Sequence, residues 1–175
     1  MHTVGKLLRC SIVLCPDCNG SMSLHGTYRR HCRDNSGKRH YGWVAQGYCA
    51  TCVCYHSILP NFIIPHKHYN CGVIGSVIAA AEARWIVEQS CICAADISTM
   101  RRWIRQFKVR GAVAVGWLLS ILFEVFNTHI RAFELHKKKL LEQLSRLLRE
   151  FKNIGGGSVL GTVNIILTTR NCGFL

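Results

Sequence analysis

The chain has 175 residues, 49% of them hydrophobic, and sets 22 Lys plus Arg against nine Asp plus Glu, for a formal net charge of +13. That length bounds it to one or two domains, and the apolar fraction argues against wholesale disorder. The charge predicts a polyanionic partner, with nucleic acid ahead of an anionic membrane surface.

Residues 1–14 read as a short strand in which Lys6 and Arg9 interrupt any apolar run, so no secretory signal is expected. The strand leads into Cys15-Pro-Asp-Cys18, and Cys49-Ala-Thr-Cys52 follows thirty residues later. Two residues between cysteines let one tight turn aim both thiolates at a single ion. Two such turns supply the four sulfurs that structural zinc prefers. Asn19-Gly20 suits the turn after the first pair. The expectation is Zn2+ on Cys15, Cys18, Cys49 and Cys52, against the alternative of four unligated buried cysteines. Eleven cysteines in all fit a reducing cytoplasm better than a disulfide framework. Cys32, Cys54 and His56 lie close enough in sequence to compete as ligands.

Between the pairs, residues 21–33 and 40–48 read as two strands joined by the turn signal Asp34-Asn-Ser-Gly37. The hairpin carries Arg29, Arg30, His31, Arg33, Lys38, Arg39 and His40, either a phosphate contact surface or a merely solvated face. Leu59 to Pro65 is an extended linker, because each proline disfavours a helical residue before it. His66-Lys-His68 could ligate a metal from a strand, but a linker pair that binds phosphate or nothing fits better.

Tyr69 to Val87 reads as a helix with Val73, Ile74, Val77, Ile78, Ala81 and Trp85 on one buried face. Asp96 is a good N-cap for a second helix over Ile97 to Phe107. Its Ile97, Met100, Ile104 and Phe107 should face inward. Ser98, Thr99, Arg101, Arg102 and Arg105 then remain outside, as on the recognition helix of a helix-turn-helix. An ordinary basic amphipathic helix is the alternative. The apolar run Val113 to Phe126 is too short to span a bilayer and contains Glu124, so a buried helix is expected there.

After Gly111 a heptad repeat runs through Leu119, Phe123, Phe126, Ile130, Phe133, Lys137, Leu140, Leu144, Leu147 and Phe151, with Lys137 as its one violation. Glu134 with Lys138 and Glu142 with Arg146 are expected i,i+4 pairs. The stripe predicts a homodimer or partner-protein contact through residues 119–151, or packing back on the same chain. Gly155 to Gly157 should end that helix, and an apolar tail over 158–167 forms a last helix or strand.

These expectations describe an α+β fold: a small β zinc ribbon (1–58), a linker (59–68), a helix-turn-helix (69–110) and a helical assembly or partner region (111–175) carrying a long C-terminal amphipathic helix. The order CPDC, LHGTYRRHCRD, YCATC, LPNFIIPHKHY and DISTMRRWIRQF resembles a bacterial and phage-associated family of uncharacterised function. That family is related to the N-terminal zinc-ribbon and helix-turn-helix region of insertion-sequence transposases. The resemblance covers residues 12–108. It implies zinc on the same four cysteines, DNA contacts from the helix holding Ser98, Thr99, Arg101 and Arg102, and Trp103 as that helix's core anchor.

A transposase catalytic domain needs three carboxylates around two divalent metals. Nine acids, several placed as caps or on the face of the long helix, leave no such trio, and no local Cys-His signature appears. The expected function is therefore non-enzymatic: double-stranded DNA binding, transposase-like without the catalytic domain, in regulation of transposition or transcription. The expected setting is cytoplasmic and nucleoid-associated, with no membrane partner. The alternative is a zinc-ribbon adaptor that docks another protein through its long helix.

Overall fold

A computed structural model describes residues 13–84, 93–130, 135–151 and 158–168. Three strands, β1 (Met22–Arg33), β2 (Arg39–Cys49) and β3 (Cys54–Ile58), form an antiparallel sheet in the order β1-β2-β3. The β1–β2 turn is built by Asp34. Its Oδ1 accepts from the Ser36 amide (2.9 Å), the Ser36 hydroxyl (2.7 Å) and the Lys38 amide (3.1 Å), and Gly37 supplies φ +82°. Its Oδ2 lies 2.6 Å from His40 Nε2. That hydrogen bond, then those from Ser36, hold the Asp34 carboxyl down at about 2.

Side chains alternate across a strand, so register decides what the hairpin presents. Arg33 pairs with Arg39, His31 with Tyr41, and Arg29 with Trp43. These six therefore share one face. The intervening residues turn the other way: Cys32 and Val44 are buried, and Arg30 Nη2 donates to the Ile64 and Lys67 carbonyls, both at 3.4 Å.

The helices that follow, as far as the described residues show, are α1 (Cys71–Glu82), α2 (Ile97–Phe126), α3 (Leu140–Leu148) and α4 (Val159–Thr168). Asp96 caps α2 through the Ser98 amide, as expected, and Asn70 caps α1 through the Val73 amide. Lys139 offers α3 no side-chain cap. The Glu82 carboxylate at the end of α1 accepts the Leu141 amide instead (3.2 and 3.3 Å). One apolar core joins all four helices, with Ile74, Val77, Trp103, Phe107, Leu118, Leu122, Leu144, Leu147, Leu160 and Val163 among its buried members.

The helical half departs from the sequence reading in several places. α1 stops at Glu82, and Arg84 adopts φ 62°, so the helix falls short of Val87. Trp85 and the Ser90-Cys-Ile turn lie outside the described residues, as do residues 1–12, Phe133, Glu134 and the 155–157 glycines. α2 does not end near Phe107 but runs on to Phe126, 30 residues in all, so the expected domain boundary at 110/111 falls inside it. Gly111 is not a break. It lets α3 come close, since a Cβ there would stand 2.6 Å from Leu140 Cδ2. Ile97, expected inside, is 39% exposed, while Ala95 and Met100 on either side of it take the core positions.

The long C-terminal helix over 119–151 is not continuous either. Asn127, at φ 48°, closes α2 in a left-handed cap whose N–H bonds back to the Leu122 and Phe123 carbonyls, and α3 begins only at Leu140. Glu142 pairs with Lys138 and Arg146 with Glu150, in place of the expected Glu142–Arg146 contact. The apolar tail is helical, as α4.

α2 is also the one described helix long and apolar enough to cross a membrane by length and composition. Within the fold its Met100, Trp103, Phe107, Ala114, Leu118 and Leu122 face the core. Its other side exposes Val109, and also Val113, Trp117 and Phe123 of the run expected to be buried.

α4 docks through a glycine. A Cβ on Gly161 would fall 1.6 Å from the Asn61 carbonyl oxygen and 3.1 Å from Cys71 Sγ. Backbone cannot yield as a flexible side-chain end does. Gly161→Ala is therefore expected to lift α4 from α1 and lower stability by about 3 kcal/mol, read as a fall in the thermal midpoint.

Candidate functional site

The two cysteine pairs meet at the base of the hairpin. Their four sulfurs all lie within 4.8 Å of one another, with Cys15 Sγ 3.9 Å from Cys52 Sγ and Cys18 Sγ 3.5 Å from Cys49 Sγ. Sulfurs at about 2.3 Å from a tetrahedral ion stand roughly 3.8 Å apart, so the cage is the right size. Both turns have the same construction. Asn19 follows Cys18 at φ 58° and Val53 follows Cys52 at φ 54°. The Gly20 amide points at Cys18 Sγ (3.4 Å) and the Cys52 amide at Cys49 Sγ (3.5 Å). A β-branched residue rarely takes a left-handed conformation, so Val53 marks a turn fixed by what surrounds it.

Ionisation is uneven across the four thiols. The Cys52 amide pulls the Cys49 thiol down to about 7. Cys52 is pushed up by hydrogen bonding to Cys18 and by burial. Four thiolates this close repel one another unless a cation lies between them. These cysteines could hold a metal ion.

A second group adjoins them. Cys15, Asp17, Cys54 and His56 also bring one ligand atom each within 4.8 Å of the others. Burial, then the Cys15 and Asp17 charges, pushes the Cys54 thiol up. Cys54 and His56 had entered the sequence reading only as substitutes within the first set. Their i,i+2 spacing just after the second pair, which puts both on one face of β3, was the available signal.

The other feature is a basic cleft of about 390 Å³ between the hairpin and the start of α2. His31, Arg33 and Arg39 line it from the sheet, His66 to Tyr69 from the connecting loop, and Thr99, Arg102 and Trp103 from α2. The loop is stitched to β1, with the Arg33 amide donating to the His68 carbonyl (2.7 Å) and the Asn70 amide to the Arg33 carbonyl (3.2 Å). Tyr69 meets Trp103 edge-on at 5.3 Å, which seats α2 against the loop. Lys67 Nζ donates to Gln106 Oε1 at 2.6 Å.

Among the described residues, no carboxylate lines this cleft. Arg33 and Arg39 face each other across the hairpin, and Arg33 Nε is buried with no hydrogen-bond partner. His31 stacks on His68 with ring centroids 5.6 Å apart. Partial burial, then Arg39, His68, Arg33 and Arg30, keeps His31 below its ordinary 6.5.

Of the residues expected at a DNA surface, the cleft gathers Arg33, Arg39, Thr99 and Arg102. Arg29 lies on the same hairpin face, with its guanidinium 4.2 Å over the Tyr41 ring. Ser98 and Arg105 are exposed on α2, and Lys38 is exposed in the hairpin turn, outside the cleft lining, as is Arg101. Arg30 is the exception, because its guanidinium is committed to loop carbonyls on the far face. Lys67 and Tyr69 were not singled out as contact residues in the sequence. Only the docking of the loop on β1 brings them to the cleft.

A known protein family, described as a domain of unknown function (DUF6431), matches residues 15–103. The chain belongs to this family. The matched region holds both cysteine turns, the whole sheet and every described residue of the basic cleft, so the cysteine cluster and the cleft fall within one family domain. Neither the curated proteins nor the solved structures gave a match.

Proposed function

We propose that this protein binds double-stranded DNA through the basic cleft and the adjoining hairpin face, with zinc on Cys15, Cys18, Cys49 and Cys52 fixing the hairpin's base as a zinc ribbon. The carrying observation is the Arg33–Arg39 pair. Like charges set opposite each other destabilise a sheet, and here no carboxylate among the described residues of the cleft relieves them. A phosphate between them would. Tyr41 and Trp43, exposed on the same face, add surfaces for sugar or base contact.

The first two turns of α2 supply Thr99 and Arg102 beside the sheet cations, so hairpin and helix would grip one stretch of backbone together. α1 ends at Glu82 and α2 begins at Ile97, a separation in sequence longer than the three- or four-residue turn of a compact helix-turn-helix. In this reading α1 and α2 form a helix-turn-helix variant whose recognition end is helped by the hairpin. That arrangement is consistent with kinship to the DNA-gripping N-terminal region of insertion-sequence transposases, without their catalysis. Binding rather than catalysis is also favoured by the employment of the acids: Asp34 builds a turn, Asp96 and Glu82 cap helices, and Glu142 and Glu150 are ion-paired.

A second reading has a specific observation behind it. Val109, Val113 and Trp117 recur every four residues on the open side of α2. That apolar stripe favours an adaptor role in which another polypeptide covers it.

Fluorescence anisotropy on a labelled duplex across a salt series tests the DNA reading. Arg39→Ala with Arg102→Ala is expected to weaken binding tenfold or more and to lower the slope of log K against log salt by about two. Unchanged affinity in a folded double variant would reject it. A bound phosphate should raise the pKa of His31, which is depressed in the free protein. Binding then takes up a proton, and affinity should rise as pH falls from about 7 to about 5.5. His31→Gln should flatten that dependence.

A further inference from the structure

We propose that Cys54, His56 and Asp17, with Cys15 as a shared thiolate, form a second divalent-cation site fused to the first, so that the base of the hairpin holds a two-metal cluster. The inference rests on the four-cysteine reading and extends it.

The geometry converges on one atom. His56 Nε2 lies 3.0 Å from Cys54 Sγ, 3.4 Å from Cys15 Sγ and 3.5 Å from an Asp17 carboxylate oxygen. One ring nitrogen has either one proton or one lone pair, so hydrogen bonding serves at most one of these three groups well. A cation among the four donors serves all of them. Ligands at about 2.0–2.3 Å from a tetrahedral ion stand roughly 3.3–3.8 Å apart, and the contacts to His56 lie close to that range.

The scaffold is suited to the task. Cys54 pairs with Cys49 in the β2–β3 register, and His56 pairs with Gly47 two residues further along, so the second set is held by the same strands as the first. Cys15 is fully buried between the two sets, which suits a bridging position. Asp17 is the exposed member, with its side chain 58% accessible. Cys15 and His56 also line an apolar cavity of about 320 Å³, through which an ion could enter. Two thiolates, an imidazole and a carboxylate make a soft-to-borderline set suited to Zn2+, with Co2+ and Cd2+ as spectroscopic stand-ins. The exposed carboxylate should leave this site weaker than the four-sulfur cage.

Anaerobic Co2+ titration of the metal-free full chain, followed by visible absorption and closed by metal analysis, tests the proposal. Two equivalents are expected, the second weaker. Cys54→Ser and His56→Ala should each weaken the second equivalent at least tenfold while the first keeps its affinity and its thiolate charge-transfer bands. Cadmium NMR of the Cd2+-loaded chain should show two resonances split by each other through Cys15. Saturation at one equivalent would overturn the second site; an unchanged spectrum in the variants would leave the four-cysteine site standing, and a changed one would put the single ion on a mixed ligand set and overturn that site as well. A second equivalent unaffected by either substitution would overturn it equally. No binding at all would remove both sites, since Cys15 belongs to each.

Discussion

From the proposed zinc site, Cys49→Ser is expected to abolish metal binding and unfold the hairpin, and chelation of the metal-loaded protein should do the same. The sheet has little else to stand on. β1 and β2 bury Cys32, Val44, Ala45 and Cys49, while most of the protein's apolar core belongs to the helices. A structural metal contributes on the order of 10 kcal/mol in small metal-dependent folds, more than a face of four small or medium side chains supplies. Cys49 sits at the last β1–β2 pair, opposite Met22, and at the first β2–β3 pair, opposite Cys54. Loss of its thiolate should therefore free both strand pairings. Helical circular dichroism should persist in large part, and the dispersed amide signals of residues 22–58 should collapse. Native spectra from a variant that holds no metal would sink this expectation.

Legibility differed between the two halves for physical reasons. The sheet half was readable because its constraints are local. A two-residue spacing makes a cysteine turn, and Asp34 and Gly37 make a hairpin turn, whatever surrounds them. The helix caps Asn70 and Asp96 belong to the same class, although only Asp96 was singled out. The facing of the arginines was less visible, because register, set by pairing across the strands, decides that Arg29, Arg33 and Arg39 share a face and Arg30 does not. The helical half misled where a residue's local tendency differs from its tertiary use. Gly111 resembles a boundary but serves as a notch for Leu140. The heptad continues through Asn127, whose left-handed cap no periodicity records. Residues on one line of the repeat then part company: Leu144 and Leu147 are buried, while Phe123 and Phe126 are exposed. The cleft was half legible, since charge identified the hairpin and α2 but not the docking of Lys67 and Tyr69 between them.

Leu144→Glu is expected to unfold the helical core at every protein concentration. A seam held between two chains would behave differently, giving a folded monomer once a charge broke the contact. Leu144 is fully buried in this chain's own core, as are Leu118 and Leu122 of α2 and Leu160 of α4. Removing such a leucine costs about 2–5 kcal/mol, and an unpaired carboxylate in its place adds several more. The sum is of the order of a domain's whole stability, commonly about 5–15 kcal/mol. Phe123→Glu, on the open side of α2 where the side chain is 54% exposed, should by contrast leave the fold intact. Thermal melts of the two variants over a hundredfold range of concentration make the comparison. A Leu144→Glu protein that melts cooperatively near the parent's midpoint would show that α3 is not anchored in the intrachain core.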